Sequence, residues 1–231
     1  MSTFLELCQR VHRYARIGED APGTAPVSVA GQEGVLAEIV GWVQDADEDI
    51  QLDQDTWRFR EAPGAVAVPA GQRDVDLAAL ILAQDYDELR PYTAQACGRY
   101  INRLDVGATV PSSRIWFVPW EDWRGGLYDR GDVTGAPCYY TVQPNGQLRL
   151  YPTPATPVTL QFTYQRMVQP LAADGDVSII PARHHAVIVW RALMYYADTR
   201  DGTKEPYQKW ERRRKQAMQR LYREELPELS L

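Results

Sequence analysis

Cysteine, histidine and methionine are scarce in this 231-residue chain, and long apolar runs are missing altogether. The three cysteines (Cys8, Cys97 and Cys138) lie far apart with no CxxC spacing, which argues against a disulfide framework and against a zinc site. Each is expected to pack as a small buried or half-buried hydrophobe. Of the histidines, His184 and His185 are neighbours and diverge by about 100° on a helix. They cannot share a metal, and the expectation is one at a helix interface and one facing solvent; His12 has no partner at ligand spacing. No run approaches the roughly 20 apolar residues that span a bilayer, so no membrane is expected. Met1 to Glu6 shows neither a basic n-region nor an apolar h-region, and the expectation is synthesis and use in a cytoplasm. Phosphate-binding loops of the GxxxxGKS type, a GxGxxG turn after a strand, a GxSxG elbow and an HExxH helix are all absent, so no cofactor or metal is implied.

What is present is ordinary for a globular chain: 45% hydrophobic and 24% charged residues, enough to bury a core. The net charge of −6 is unevenly spread. Met1 to Asp87 holds sixteen acidic against six basic side chains, whereas Thr203 to Glu225 holds eight basic against four acidic. Such asymmetry suits a protein meeting differently charged neighbours, and equally suits solvated helix faces.

Phe4, Leu7, Cys8, Val11, Tyr14 and Ala15 form one stripe at three- and four-residue spacing, which predicts a helix from Phe4 to Arg16 capped by Ser2 or Thr3. A second helix is predicted from Gly31 to Leu52, with Leu36, Ile39, Val40, Val43, Ala46 and Ile50 inward. Glu38, Asp45, Asp47, Glu48, Asp49 and Asp53 form its acidic face, and Trp57 and Phe59 cap the core beyond it. From Ala62 to Ala172 prolines, glycines and aromatics break every helical stripe. Strands are predicted at 65–68, 75–82 and 113–118, with a helical turn at Trp120 to Arg124. Cys138 to Tyr151 reads as a hairpin with a type I′ turn at Asn145-Gly146. Val158, Leu160, Phe162 and Tyr164 lie on one face of a period-two strand. Pro181 suits the first turn of an apolar helix reaching Asp198 and ended by Gly202. A last helix runs from Lys204 to Leu226, stopped by Pro227 before a short free tail. It sets Tyr207, Trp210, Ala217, Met218 and Leu221 against the basic run Arg212-Arg213-Arg214-Lys215. The fold class expected is α+β: a bundle of the N- and C-terminal helix pairs (1–61 and 173–231) with a β-rich insertion (62–172).

Catalytic chemistry has one foothold. Glu121 and Asp122 sit among Trp116, Trp120 and Trp123, and paired carboxylates in an apolar setting are what a glycosidase needs to raise one pKa. Adjacent residues on a helical turn diverge, and aromatics beside a loop are more often packing. The basic run near Trp210, Tyr207 and Tyr222 could suggest nucleic acid, but the chain's pI of about 5.2 disfavours a recognition module.

The order of parts resembles the head-to-tail adaptor, or connector, proteins of tailed bacteriophages. Asp49-Ile50 precedes Trp57-Arg58-Phe59, and Trp120-Glu121-Asp122-Trp123-Arg124 follows in the insertion. Gly135-Ala136-Pro137 opens the Asn-Gly hairpin that closes at Pro152. Ile180-Pro181 leads to Ile188-Val189-Trp190-Arg191-Ala192-Leu193, and Glu225-Leu226-Pro227 closes the basic helix. Asp74 to Val110 departs most from the pattern. The resemblance implies a structural virion protein at the head-tail junction, without enzymatic activity, cofactor or metal. It implies a homo-oligomer, a dodecameric ring under the portal ring, with a downstream tail protein below and genomic DNA passing in transient, non-specific contact through its channel. Portal docking would fall to Arg212, Arg213, Arg214, Lys215, Arg220 and Arg223, and the channel would be faced by Asp45, Glu48 and Asp49. One branch of the family is linked to peptidoglycan hydrolysis, so the alternative is a phage-associated glycosidase using Glu121 and Asp122. Thirteen tyrosines and seven tryptophans would supply interface anchors.

Overall fold

The computed structural model describes residues 1–15, 25–80, 85–89, 100–105, 113–126, 131–201 and 204–226. The fold is α+β, as the sequence leads one to expect. It divides into two compact units, Met1–Arg60 with Val168–Leu229, and Glu61–Met167. The expected stops at Gly202 and Pro227 and the cysteine Cys97 lie outside the described residues.

The first unit is helical. Helix α1 spans Phe4–Ala15 and opens with a reciprocal cap. The Glu6 amide donates to the Thr3 hydroxyl (3.3 Å) and the Thr3 amide to the Glu6 carboxylate (3.2 Å), satisfying two donors that the first turn leaves open. Phe4, Leu7, Cys8 and Val11 are fully buried, while Tyr14 is exposed and packs on Trp190 instead of entering the core. Helix α2 spans Val35–Leu52, four residues shorter at its start than the sequence predicts. Gly31 and Gly34 hold φ of 66° and 57°, so the chain is still turning there. Pro181 heads a 3-10 turn, Ala182–His184, and the apolar helix begins only at Ala186.

Residues 186–196 are α5 in the numbering used here, and Ala197–Asp201 extend it as a π-helical turn. Residues 204–225 form α6. Helix α5 packs against α1, α2 and α6, and Val187, Ile188, Val189, Ala192 and Leu193 are all buried, which is why it is apolar nearly all round. Trp57 lies inside this core with no exposure. Its ring stacks between Phe59 (5.1 Å) and Tyr222 (5.5 Å), and its indole N–H donates to the Ile50 carbonyl (2.9 Å).

The second unit is built on an eight-stranded sheet. Strands β1 (Glu61–Val68), β2 (Asp74–Val75), β3 (Tyr86–Leu89), β4 (Tyr100–Asp105), β5 (Ser113–Phe117), β7 (Tyr139–Val142), β8 (Leu148–Tyr151) and β10 (Val158–Arg166) join in the order β1-β10-β4-β5-β7-β8-β2, with β3 also on β10; β6 (Thr134–Gly135) and β9 (Thr153–Pro154) pair separately. The period-two reading of β10 matches its burial: Val158, Leu160, Phe162 and Tyr164 are buried and the residues between are half-buried.

Two local expectations fail here. Only Val75 and Asp74 pair as a strand, and Leu77–Leu80 forms a helical turn, α3, instead of extending it. Leu77-Ala78-Ala79-Leu80 lacks β-branched side chains, and the Asp76 carboxylate accepts from the Ala79 amide (3.2 Å), as a helix cap does. In the hairpin of β7 and β8 the corner lies one residue early. The Gly146 amide donates to the Gln143 carbonyl (2.9 Å), placing Pro144 and Asn145 at the centre of the turn. Proline's φ near −65° is incompatible with a type I′ corner, so Gly146 alone takes the left-handed position (φ 81°), as in three-residue hairpin loops.

Candidate interaction surface

Helix α6 is amphipathic, but its basic residues do not share one face. Rotation by about 100° per residue places Lys209, Arg212 and Arg223 on the side away from the buried Trp210, Met218 and Leu221, with Arg213 and Arg220 on the adjoining flank. Gln216 and Gln219 lie between them and no acidic residue does. Arg212, Arg213, Arg220 and Arg223 have no ion-pair partner among the described residues. Lys215 instead pairs with Glu211 one turn earlier (2.8 Å). Arg214 turns inward, lining a cleft with Asp49, Ile50, Asp53, Arg191 and Met218. Of the six basic candidates, then, four share an open face, one is paired along its own helix and one faces the bundle.

Residues outside the basic run complete this surface. Arg183 and Trp190 line a groove with Arg213, Gln216 and Arg220, and the Arg213 guanidinium lies over the Trp190 ring, 4.8 Å from its centroid. Arg183 precedes α6 by 21 residues, so spacing along the chain carries no sign of it.

The acidic side of α2 also divides. Asp45 is exposed and Glu48 half-buried. Asp49 is exposed at its edge but is held by Arg191 (2.6 Å) and by the Tyr195 hydroxyl. Burial pushes its carboxyl up, but those hydrogen bonds and the charges of Arg191 and Arg214 outweigh it and hold the group below the usual carboxylate range. Asp47 belongs to the interior, contrary to its place in the expected acidic face: it is fully buried. It accepts from the Ser178 hydroxyl (2.5 Å) and the Gln51 amide (2.7 Å), and Gln51 also bonds the backbone of Gln169 at both N–H and C=O. Burial pushes the Asp47 carboxyl up to about 6 against the pull of those hydrogen bonds.

Both members of the histidine pair are buried, so the expected solvent-facing one is not found. Nε2 of His185 meets the Ile180 carbonyl (2.8 Å) and Nε2 of His184 meets Glu224 (3.2 Å). Burial holds the His185 imidazole below its ordinary pKa. Cys138 is exposed while Cys8 is buried. Among the described residues no cluster of His, Cys, Asp or Glu could hold a metal, and no helix is long and apolar enough to cross a membrane.

Helix α4 (Trp120–Gly126) carries Glu121 and Asp122, both exposed. Trp123 turns away into the unit and meets Tyr151 edge-on (6.3 Å), so the two carboxylates lie outside that apolar interior. The aromatics in general serve the interior. Of the seven tryptophans only Trp116, at 41% exposure, lies open. Tyr195, Tyr222 and Tyr164 bury their rings and direct hydroxyls to Asp49, Asp53 and Asp85 at the rim, as amphipathic rings do.

No curated protein matches the chain. The profile of the SU10 adaptor protein family matches residues 2–229. A match over nearly the whole length joins the helical unit, the β-rich unit and the basic helix in one inherited pattern, and the chain belongs to the SU10 adaptor protein family, phage adaptors that are structural components of the virion.

Proposed function

We propose that the protein is a head-to-tail adaptor that assembles as a dodecameric ring beneath the portal, at the head-tail junction. There it connects capsid to tail and surrounds the DNA channel. The observation that carries this reading is the open basic stripe of α6: Lys209, Arg212, Arg213, Arg220 and Arg223 on one face without an intervening acid. Cations held on a rigid helix and without an ion-pair partner among the described residues steer association with a complementary surface, and the portal is the partner assigned to them. Arg214 and Lys215, engaged within the bundle and along the helix, contribute to the stripe's fixed geometry more than to docking. Asp45 and Glu48 are the acidic residues assigned to the channel, where like charge repels phosphates and lets DNA slide. The charge of Asp49 is already offset by Arg191. The face opposite the portal meets a downstream tail protein.

Mixing the purified protein with portal rings of the same phage and measuring the sedimenting species tests the reading. Arg212→Glu with Arg223→Glu is the informative variant. Single exposed charges each contribute about 1 kcal/mol or less, so the double reversal is expected to weaken portal binding about tenfold or more at low salt and less at high salt. Thermal stability should be nearly unchanged. Absence of any portal complex, or wild-type binding by the variant at both salt concentrations, would overturn the assignment.

A further inference from the structure

The groove on the helical unit runs between the 3-10 turn before α5, α5 itself and α6, and its cations are in different states. Arg183 is occupied: its guanidinium bridges Glu224 (2.7 Å) and Glu225 (2.9 Å). Arg213 and Arg220, on the opposite wall, meet no carboxylate among the described residues. Arg213 is nonetheless held in place. Its guanidinium lies against the Trp190 ring at 4.8 Å, and Trp190 is itself braced by Tyr14 at 5.1 Å. A guanidinium stacked through its face keeps its in-plane N–H donors available, so ordering the side chain has used none of its fork. Seven residues separate Arg213 from Arg220, two helical turns, or about 10 Å along the axis.

We propose that this groove is a receptor for an acidic peptide segment of the ring on which the protein docks, gripped through two carboxylates about 10 Å apart. The proposal rests on the reading of α6 as the docking face and names what that face binds. One lining residue already grips peptide carboxylates: Arg183 pairs with Glu224 and Glu225 of the chain itself. The open fork of Arg213 suits a planar carboxylate bidentately. A polynucleotide fits less well, because its phosphates follow one another at every nucleotide, whereas the two open forks stand two helical turns apart. The acidic stripe of a second copy fits less well too: Asp45 and Glu48 are one turn apart, about 5 Å along α2. Residues i and i+7 of a helix, or i and i+3 of an extended segment, match the spacing.

The test uses a fluorescein-labelled, alanine-rich helical peptide with Glu at i and i+7, its Gln counterpart, and portal rings, with anisotropy read at low ionic strength. The Glu peptide should bind at least tenfold more tightly than the Gln peptide and compete with portal rings. Arg213→Gln with Arg220→Gln should abolish that preference, whereas Arg124→Gln on α4 should preserve it. Arg220→Gln alone, which leaves the Trp190 stack intact, serves if the double variant unfolds, and it should reduce the preference severalfold. Equal binding of the two peptides overturns the proposal, as does stronger competition by a single-stranded oligonucleotide or self-association that the double variant abolishes. Portal rings that bind but are not displaced by the Glu peptide overturn the groove's role and leave α6 docking in place. A peptide that binds when no portal does overturns the docking reading and the partner assigned here.

Discussion

Replacing Asp47 by Asn should stabilise this protein at neutral pH and leave it nearly unchanged in mild acid. The carboxyl is fully buried and its pKa moves from 3.8 to about 6 on folding, chiefly through burial. A folded-state pKa above the unfolded one means that the native state binds more protons between those values, so stability falls as pH rises from about 4 to about 6. Two pH units at 1.36 kcal/mol each give a cost of about 3 kcal/mol for the ionised form above pH 7. Asparagine avoids that cost and keeps both contacts. Its carbonyl can accept from Gln51, and its amide can donate to the Ser178 hydroxyl, which has a lone pair beyond the one taken by the Ile180 amide. Neutral hydrogen bonds are weaker than charge-assisted ones, so the expected gain at pH 8 is roughly 1 to 3 kcal/mol. Urea unfolding of wild type and Asp47→Asn from pH 4 to pH 8 measures it as a difference. The difference matters because other groups pull the opposite way. Asp49, Asp74 and Asp176 have lowered pKa values and lose stability as pH falls through the acid range, and His185, also lowered, loses it below its ordinary pKa. A variant less stable than wild type at pH 8, or one whose difference from wild type is the same at pH 4 and pH 8, would refute the argument.

Gly64→Ala should destabilise the β-rich unit by about 1 to 3 kcal/mol, because a Cβ there would meet the Phe162 ring at 2.6 Å; thermal melts check it, and pairing with Phe162→Leu should recover part of the loss. Cys138 should react with a thiol reagent in the native state while Cys8 does not, since burial pushes the Cys8 thiol up to about 12. Mass mapping of the labelled peptides decides it, and labelling of native Cys8 at the rate of Cys138 would contradict its placement.

What could be read from the sequence was what local periodicity controls. The α1 stripe, the alternation of β10 and the two strands around Asn145-Gly146 depend on neighbours within a few residues. For Asp47 position is a better guide than charge. It shares three- and four-residue spacing with Val43, Ile50 and Gln51, which are all buried, so periodicity alone would have placed it inside. The turn lies one residue early because Pro144, with its fixed φ, overrides the Asn-Gly dipeptide after it. The groove was illegible for a different reason. Arg183 and Glu225 are 42 residues apart, and Ser178 and Asp47 are 131 apart, so only the folded chain brings them together. Composition is silent on where aromatics go, since a tyrosine that packs its ring inward and frees only its hydroxyl counts the same in a tally as one on the surface.

The pairing of β1 with β10 has a consequence for how the helical unit can form. Glu61 sits opposite Gln165 and the ladder continues to Val68 opposite Val158, so the insertion begins and ends at neighbouring points of one sheet. Before that sheet exists, bringing α2 to α5 means closing a disordered excursion of roughly a hundred residues. Once β1 and β10 are zipped, the same closure spans about thirty residues, from Leu52 to Glu61 and from Gln165 to Ala186. With about 0.6 kcal/mol for each doubling of loop length, the difference is about 1 kcal/mol. The sheet thus acts on the bundle as a clasp, lowering the entropic barrier to joining two halves that lie at opposite ends of the chain.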